Sequence, residues 1–132
     1  MNDKEVSHRV FSSYDEFFRN SSRCQNQENA ILLDKSELVN CFGKDSALVC
    51  YRAKSKISPD VAQEAILTHI ENRLRSSKSV AVIYHISEDY SLIDLSNLLE
   101  RVDEIICDDK CAIFSTCINE TIFGVEFIFN FS

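Results

Sequence analysis

The chain has two glycines, one proline and no tryptophan in 132 residues. So little Gly and Pro argues against long structureless loops, collagen-like segments and disorder, and predicts that most of the chain lies in regular elements. Two glycines also cannot build the Gly-rich backbone cradle of a phosphate loop. No stretch approaches the roughly 18 apolar residues of a membrane-spanning helix, and Met1 to Arg9 has no apolar core of the secretory-leader kind. Basic residues are the minority, 14 Lys and Arg against 21 Asp and Glu, for a formal charge of −7. That surplus repels nucleic acid and anionic lipid, so neither nucleic acid nor membrane is expected as a partner; the missing leader and spanning stretch make a cytoplasmic protein the expectation.

An apolar fraction of 45 % with 27 % charged residues is ordinary for one globular domain large enough to need no staples. Six cysteines are present, Cys24, Cys41, Cys50, Cys107, Cys111 and Cys117. Four lie in apolar segments where a reduced thiol packs as a small hydrophobe, so free thiols are expected. The C-x3-C of Cys107 and Cys111, with Cys117 beyond, lacks the second close pair of a zinc site. No metal and no cofactor follow from these residue types.

The strongest pattern is Ser79-Val-Ala-Val-Ile-Tyr-His-Ile86, apolar on both faces and β-branched at four of eight positions, which reads as a central strand covered on both sides. Around it, Tyr14 to about Arg23 forms a short helix capped by Ser12 or Ser13, and Asn20 to Asn29 is a polar connector. Asp34 caps a helix that begins at Lys35, carries Glu37 in its first turn, and stops at Gly43. Ser46 to Ala53 is a strand. Ser58-Pro59-Asp60 opens a helix to about Ser76, with Val61, Ala62, Ala65, Ile66, His69, Ile70 and Leu74 on its apolar stripe. Ser91 opens another, with Leu92, Leu95, Leu98, Leu99, Val102, Ile105 and Ile106 on one face. Strands at Cys111 to Ile118 and Gly124 to Phe131 follow, the last placing Val125, Phe127, Phe129 and Phe131 on one face. The fold class predicted is α/β, an α+β two-layer domain. It has a four-stranded mixed sheet with a β-α-β-α-β-β core, preceded by one or two N-terminal helices. Residues 1–29 hold the N-terminal helix and connector, and 30–132 the α/β domain. The short turn at Asn119 pairs the fourth strand antiparallel to the third.

Several stretches together resemble the C-terminal domain of the FtsZ/tubulin superfamily, FtsZ more closely than tubulin. Ile31-Leu-Leu-Asp-Lys-Ser-Glu-Leu-Val39 is similar to the family's acidic loop and following helix, I-N-x-D-F-A-D-V. Ala62-Gln-Glu-Ala-Ile66 resembles A-x-x-A-I, Ser79 to Ile86 resembles G-V-L-x-N-I-T-G, and Gly124 to Phe131 resembles R-V-T-V-I-A-T-G. The resemblance covers about Ile31 to Phe131, and the family's GTPase domain has no counterpart here. It implies a sheet in which the fourth strand inserts between the first and second, against the pairing that the short turn suggests, and the inserted order is the one expected. It also implies that Asp34 and Glu37 match two acidic residues which FtsZ presents to the nucleotide of a neighbouring subunit. Residue by residue, the same two side chains also suit a helix cap and a dipole complement.

The expectation is therefore a non-catalytic interaction or assembly module that associates with itself or binds and caps an FtsZ-type filament in cell division. The alternative is a small-molecule-binding or enzymatic α/β domain with a ligand site at a subunit interface. Its marker would be a pocket lined by His85, Tyr84 or Arg52. His69 and His85 are both expected to be buried and hydrogen-bonded, and a Cys/His nucleophile pair stays open at this point.

Overall fold

The computed structural model describes residues 6–19, 35–44, 46–106, 111–118 and 123–130. The expected connector at Asn20 to Asn29, Asp34, Cys24, Cys107 and Phe131 lie outside the described residues, as does the turn at Asn119. The elements in chain order are β1 (Val6–Phe11), α1 (Tyr14–Arg19), α2 (Lys35–Phe42), β2 (Leu48–Ser55), α3 (Pro59–Ser76), β3 (Ser79–Ile86), α4 (Leu92–Asp103), β4 (Cys111–Ile118) and β5 (Phe123–Asn130).

They form an α/β fold on one mixed sheet of order β1-β2-β5-β3-β4. β3 and β4 are parallel, while β5 runs antiparallel to both β2 and β3. One expectation is corrected here. The sheet has five strands, because Val6-Ser-His-Arg-Val-Phe11 pairs antiparallel with β2 along its whole length. Of that strand only Phe11 is buried; an edge strand wets most of its positions, which blurs the alternation that marks a strand in sequence. The last strand pairs with β2 and β3, the expected family order, and not with β4, the pairing that the short turn suggests. The burial patterns give the reason. β5 is buried from Gly124 to Phe129, whereas β4 is partly exposed at most positions, so β5 suits the centre and β4 the edge.

Helices cover both faces, which corrects the two-layer expectation to three. On one face, Ala62, Ile66, Leu67, Ile70 and Leu74 of α3 and Leu98 and Val102 of α4 close over Val49, Val80, Val82, Val125, Phe127 and Phe129. Burying each of those phenylalanines contributes about 1.5–3 kcal/mol. On the other face, Tyr14 and Phe17 of α1 and Leu38, Cys41 and Phe42 of α2 cover Leu48, Cys50, Ala81, Ile83, Cys117 and Ile128.

Helix ends follow the local sequence. Ser58 Oγ accepts from the Val61 amide at 3.4 Å with Pro59 at the first helical position, and Ser91 Oγ accepts from Ile93 and Asp94. Gly43 takes φ 100°, its amide donating to the Val39 carbonyl at 2.8 Å, the left-handed stop that glycine adopts without strain. Three expectations on side chains fail. His69 is exposed, since it stands at the margin of the α3 stripe, while Gln63 is buried in its place. Leu92 is 80 % exposed, since the whole first turn of α4 through Asp94 stands in solvent. Cys41, Cys50 and Cys111 are free, but Cys117 is disulfide-bonded to a partner outside the described residues.

Candidate functional site

The middle of the sheet holds a carboxylate. Glu126 on β5 is fully buried, opposite Arg52 of β2 and Ile83 of β3 in the ladders. Period-two alternation puts Cys50 on the same side of β2 and His85 on the same side of β3, one pleat away on either flank. His85 Nε2 lies 2.7 Å from Glu126 Oε1, and the Cys50 thiol donates to Glu126 Oε2 at 3.2 Å. His85 and Cys50 are themselves only 6 % and 5 % exposed. His85 is thus buried and hydrogen-bonded as expected. Glu126 was not anticipated; the available signal was a lone acid within Phe123-Gly-Val-Glu-Phe-Ile-Phe, matched by a lone imidazole within β3.

The order of groups decides what this constellation can do. A cysteine nucleophile needs an imidazole at its sulfur and an acid behind the imidazole. Here the acid stands between thiol and imidazole, and a carboxylate accepting from S–H favours the thiol over the thiolate. The three groups are also closed to solvent. They act as a polar lock that spans β2, β5 and β3 and fixes their register, since a one-residue slip would turn Glu126 into the apolar layer of the other face.

A second lock lies on that other face. Tyr84 donates its hydroxyl proton to Gln63 Oε1 at 2.6 Å, and Gln63 Nε2 donates to the Leu98 carbonyl at 3.1 Å, tying β3 to α3 and α4. Burial pushes the Tyr84 phenol far above its ordinary range. Tyr84 and His85 are consumed internally, and neither they nor Arg52 line the cavity between the end of α3 and the start of β3.

Of the two acidic residues carried over from the family resemblance, Glu37 stands exposed in the first turn of α2, and Asp34 lies outside the described residues. Beside Glu37, Lys35 Nζ pairs with Asp15 Oδ1 of α1 at 2.9 Å, holding the Asp15 carboxyl below its usual range. Among the described residues no group of three or more His, Cys, Asp or Glu could hold a metal ion, and no helix is long and apolar enough to cross a membrane. Large apolar side chains are exposed at one end of the sheet. β2 and β3 run the same way, each antiparallel to β5, so Ile57 after β2 and Leu92 and Ile93 after β3 emerge at the same end. They are 70 %, 80 % and 74 % exposed.

No protein-family model and no curated protein matches the chain. Solved structures do, 64 chains in all. Among them is thiamine-monophosphate kinase from Stenotrophomonas maltophilia K279a, at TM-score 0.34 and 12 % identity over 97 % of this chain. The chain spans 45 % of that protein's length.

Proposed function

We propose that the chain is a non-catalytic assembly module of the kind found as the C-terminal domain in the FtsZ/tubulin superfamily, associating with an FtsZ-type protein or with itself. The strand order carries the reading: the last strand lies between β2 and β3, the arrangement that the resemblance implies and that the short turn after β4 argues against. Two surface features agree with it. Glu37 opens α2 in solvent, where a neighbouring subunit could meet it. Ile57, Leu92 and Ile93 stay exposed although the chain has two apolar layers in which to bury such residues, and exposed apolar side chains grouped at one end of a fold mark contact surfaces.

A module with this face and no nucleotide face adds to a filament end and is not extended. The test is co-sedimentation and GTPase turnover of an FtsZ-type protein from the same source, with this chain at excess. Shorter polymer or changed turnover is expected, together with loss of the effect in Glu37→Ala or in Leu92→Asp/Ile93→Asp. Unchanged polymer and turnover, with no self-association by light scattering, would sink the proposal.

A further inference from the structure

A cavity of about 580 Å³ opens where α3 ends and β3 begins. Arg73, Ser76 and Ser77 form one wall, Lys78 and Ser79 the next, and Asn130 at the end of β5 closes it over the Phe42 ring. None of these residues is acidic, in a chain whose acids outnumber its bases 21 to 14. Its volume falls within the roughly 300–1,000 Å³ typical of small-molecule sites.

The donors come first. Two other helix arginines pair with carboxylates, Arg75 with Glu71 at 2.6 Å and Arg101 with Glu64 at 3.1 Å. Arg73 has no carboxylate partner among the described residues. Its guanidinium carbon lies 5.3 Å from the centre of the Phe129 ring, and Nη2 donates to the Asn130 carbonyl at 3.4 Å. Its Nε is buried and without a partner. Leaving such a donor unmet costs about 1–3 kcal/mol, and a planar guanidinium held by an aromatic ring is preorganised for an oxyanion. Lys78 supplies a second cation, and the Ser77 hydroxyl makes no hydrogen bond among the described residues. The C-terminus of α3 opposes an anion with about half a charge, which two full cations outweigh.

The acceptors narrow the ligand further. Ser76 gives its hydroxyl proton to the Arg73 carbonyl and Ser79 gives its own to the Cys41 carbonyl at 2.6 Å. Asn130 Nδ2 is taken up by the Phe42 carbonyl and Ser46 Oγ, at 3.2 and 2.9 Å. What these three residues still offer is lone pairs, on Ser76 Oγ, Ser79 Oγ and Asn130 Oδ1, and they suit the hydroxyls of a ligand.

We infer that this cavity binds a small polyhydroxylated phosphate monoester, its phosphate on Arg73, Lys78 and Ser77 and its hydroxyls on Ser76, Ser79 and Asn130. The inference does not depend on the assembly reading. Titration calorimetry at fixed ionic strength compares ribose 5-phosphate, inorganic phosphate, ribose and sodium chloride. Ribose 5-phosphate is expected to bind at least tenfold tighter than inorganic phosphate, and ribose and chloride to give no saturable signal. Lys78→Gln, on an exposed side chain that leaves the fold intact, should weaken binding about tenfold. Arg73→Lys, which keeps the charge and loses the planar guanidinium fork, should weaken it too. Equal affinity for inorganic phosphate and ribose 5-phosphate, absence of saturation, or affinity unchanged by Lys78→Gln would each overturn the proposal.

Discussion

Glu126→Ala tests whether the buried carboxylate is the lock of the sheet. The substitution removes the acceptor of two buried donors, the Cys50 thiol at 3.2 Å and the His85 Nε2 at 2.7 Å, and leaves space where the side chain stood. Leaving a buried donor without its acceptor costs about 1–3 kcal/mol for each group. Against a domain stability of about 5–15 kcal/mol, the variant should lose a large share of its folded population margin. Urea denaturation followed by circular dichroism reads this as a lower midpoint at unchanged slope. Glu126→Gln separates charge from shape. Its amide oxygen can accept from Cys50 while its NH2 donates to His85 Nε2, the neutral imidazole then moving its proton to Nδ1. Most of the loss should therefore be recovered. A Glu126→Ala cost below about 1 kcal/mol, the level of an ordinary surface change, or a Gln variant as damaged as the Ala variant, would refute the reasoning.

The two glycines should respond in opposite ways. Gly43→Ala meets no atom within 4 Å, yet φ +100° is strained for any side chain, so a loss of about 1–2 kcal/mol is expected in the same assay. At Gly124 a Cβ would sit 3.5 Å from the Ala53 carbonyl and 3.6 Å from His85, ordinary contacts, so Gly124→Ala should be neutral or stabilise by up to about 1 kcal/mol. Among the free thiols, burial pushes Cys41 up to about 12 while Cys111 is exposed. Iodoacetamide at pH 8 should therefore label Cys111 first, and early labelling of Cys41 would contradict its packing under α2. The Asp60 carboxyl is raised above its ordinary 3.8 by desolvation and then by Asp94 and Glu64. A raised folded pKa means that the native state binds the proton more readily, so this group's contribution falls as pH rises through and above 3.8. Asp60→Asn should then be relatively more stable at pH 7 than at pH 3, as thermal melts at the two pH values would show.

The parts legible in the sequence were those fixed by local chemistry. β3 announced itself because a run apolar on both faces has no stable home outside a covered sheet, and α3 because Ser58-Pro59 and a Gly-free apolar stripe leave few alternatives. β1 was not legible: it sits at an edge, where Ser7, His8 and Arg9 face water and resemble a tail. The side of the sheet on which α1 and α2 pack was not legible either, since Phe17 and Leu38 say that a face is buried without saying against what. Glu126 and His85 illustrate the difficulty at the site. Each is a single polar residue in an apolar strand, 41 positions apart. Only the insertion of β5 beside β3 turns two anomalies into one pair.

That pairing bears on where function can reside. Glu126 is spent on His85 and Cys50, and Tyr84 on Gln63, so these buried groups hold the fold together. Groups used in the two readings above lie at the two ends of β3. Arg73, Ser77 and Lys78 surround its start, whereas Leu92 and Ile93 follow its finish, joined there by Ile57. Eight residues of strand separate them, roughly 26 Å at about 3.3 Å per residue. A small phosphorylated ligand at the first end cannot block a protein partner at the second by contact. If both readings hold, saturating ribose 5-phosphate should leave co-sedimentation with a filament partner unchanged, and Leu92→Asp/Ile93→Asp should leave ribose 5-phosphate affinity unchanged. Competition between the two would place the protein contact at the cavity and displace it from the apolar end.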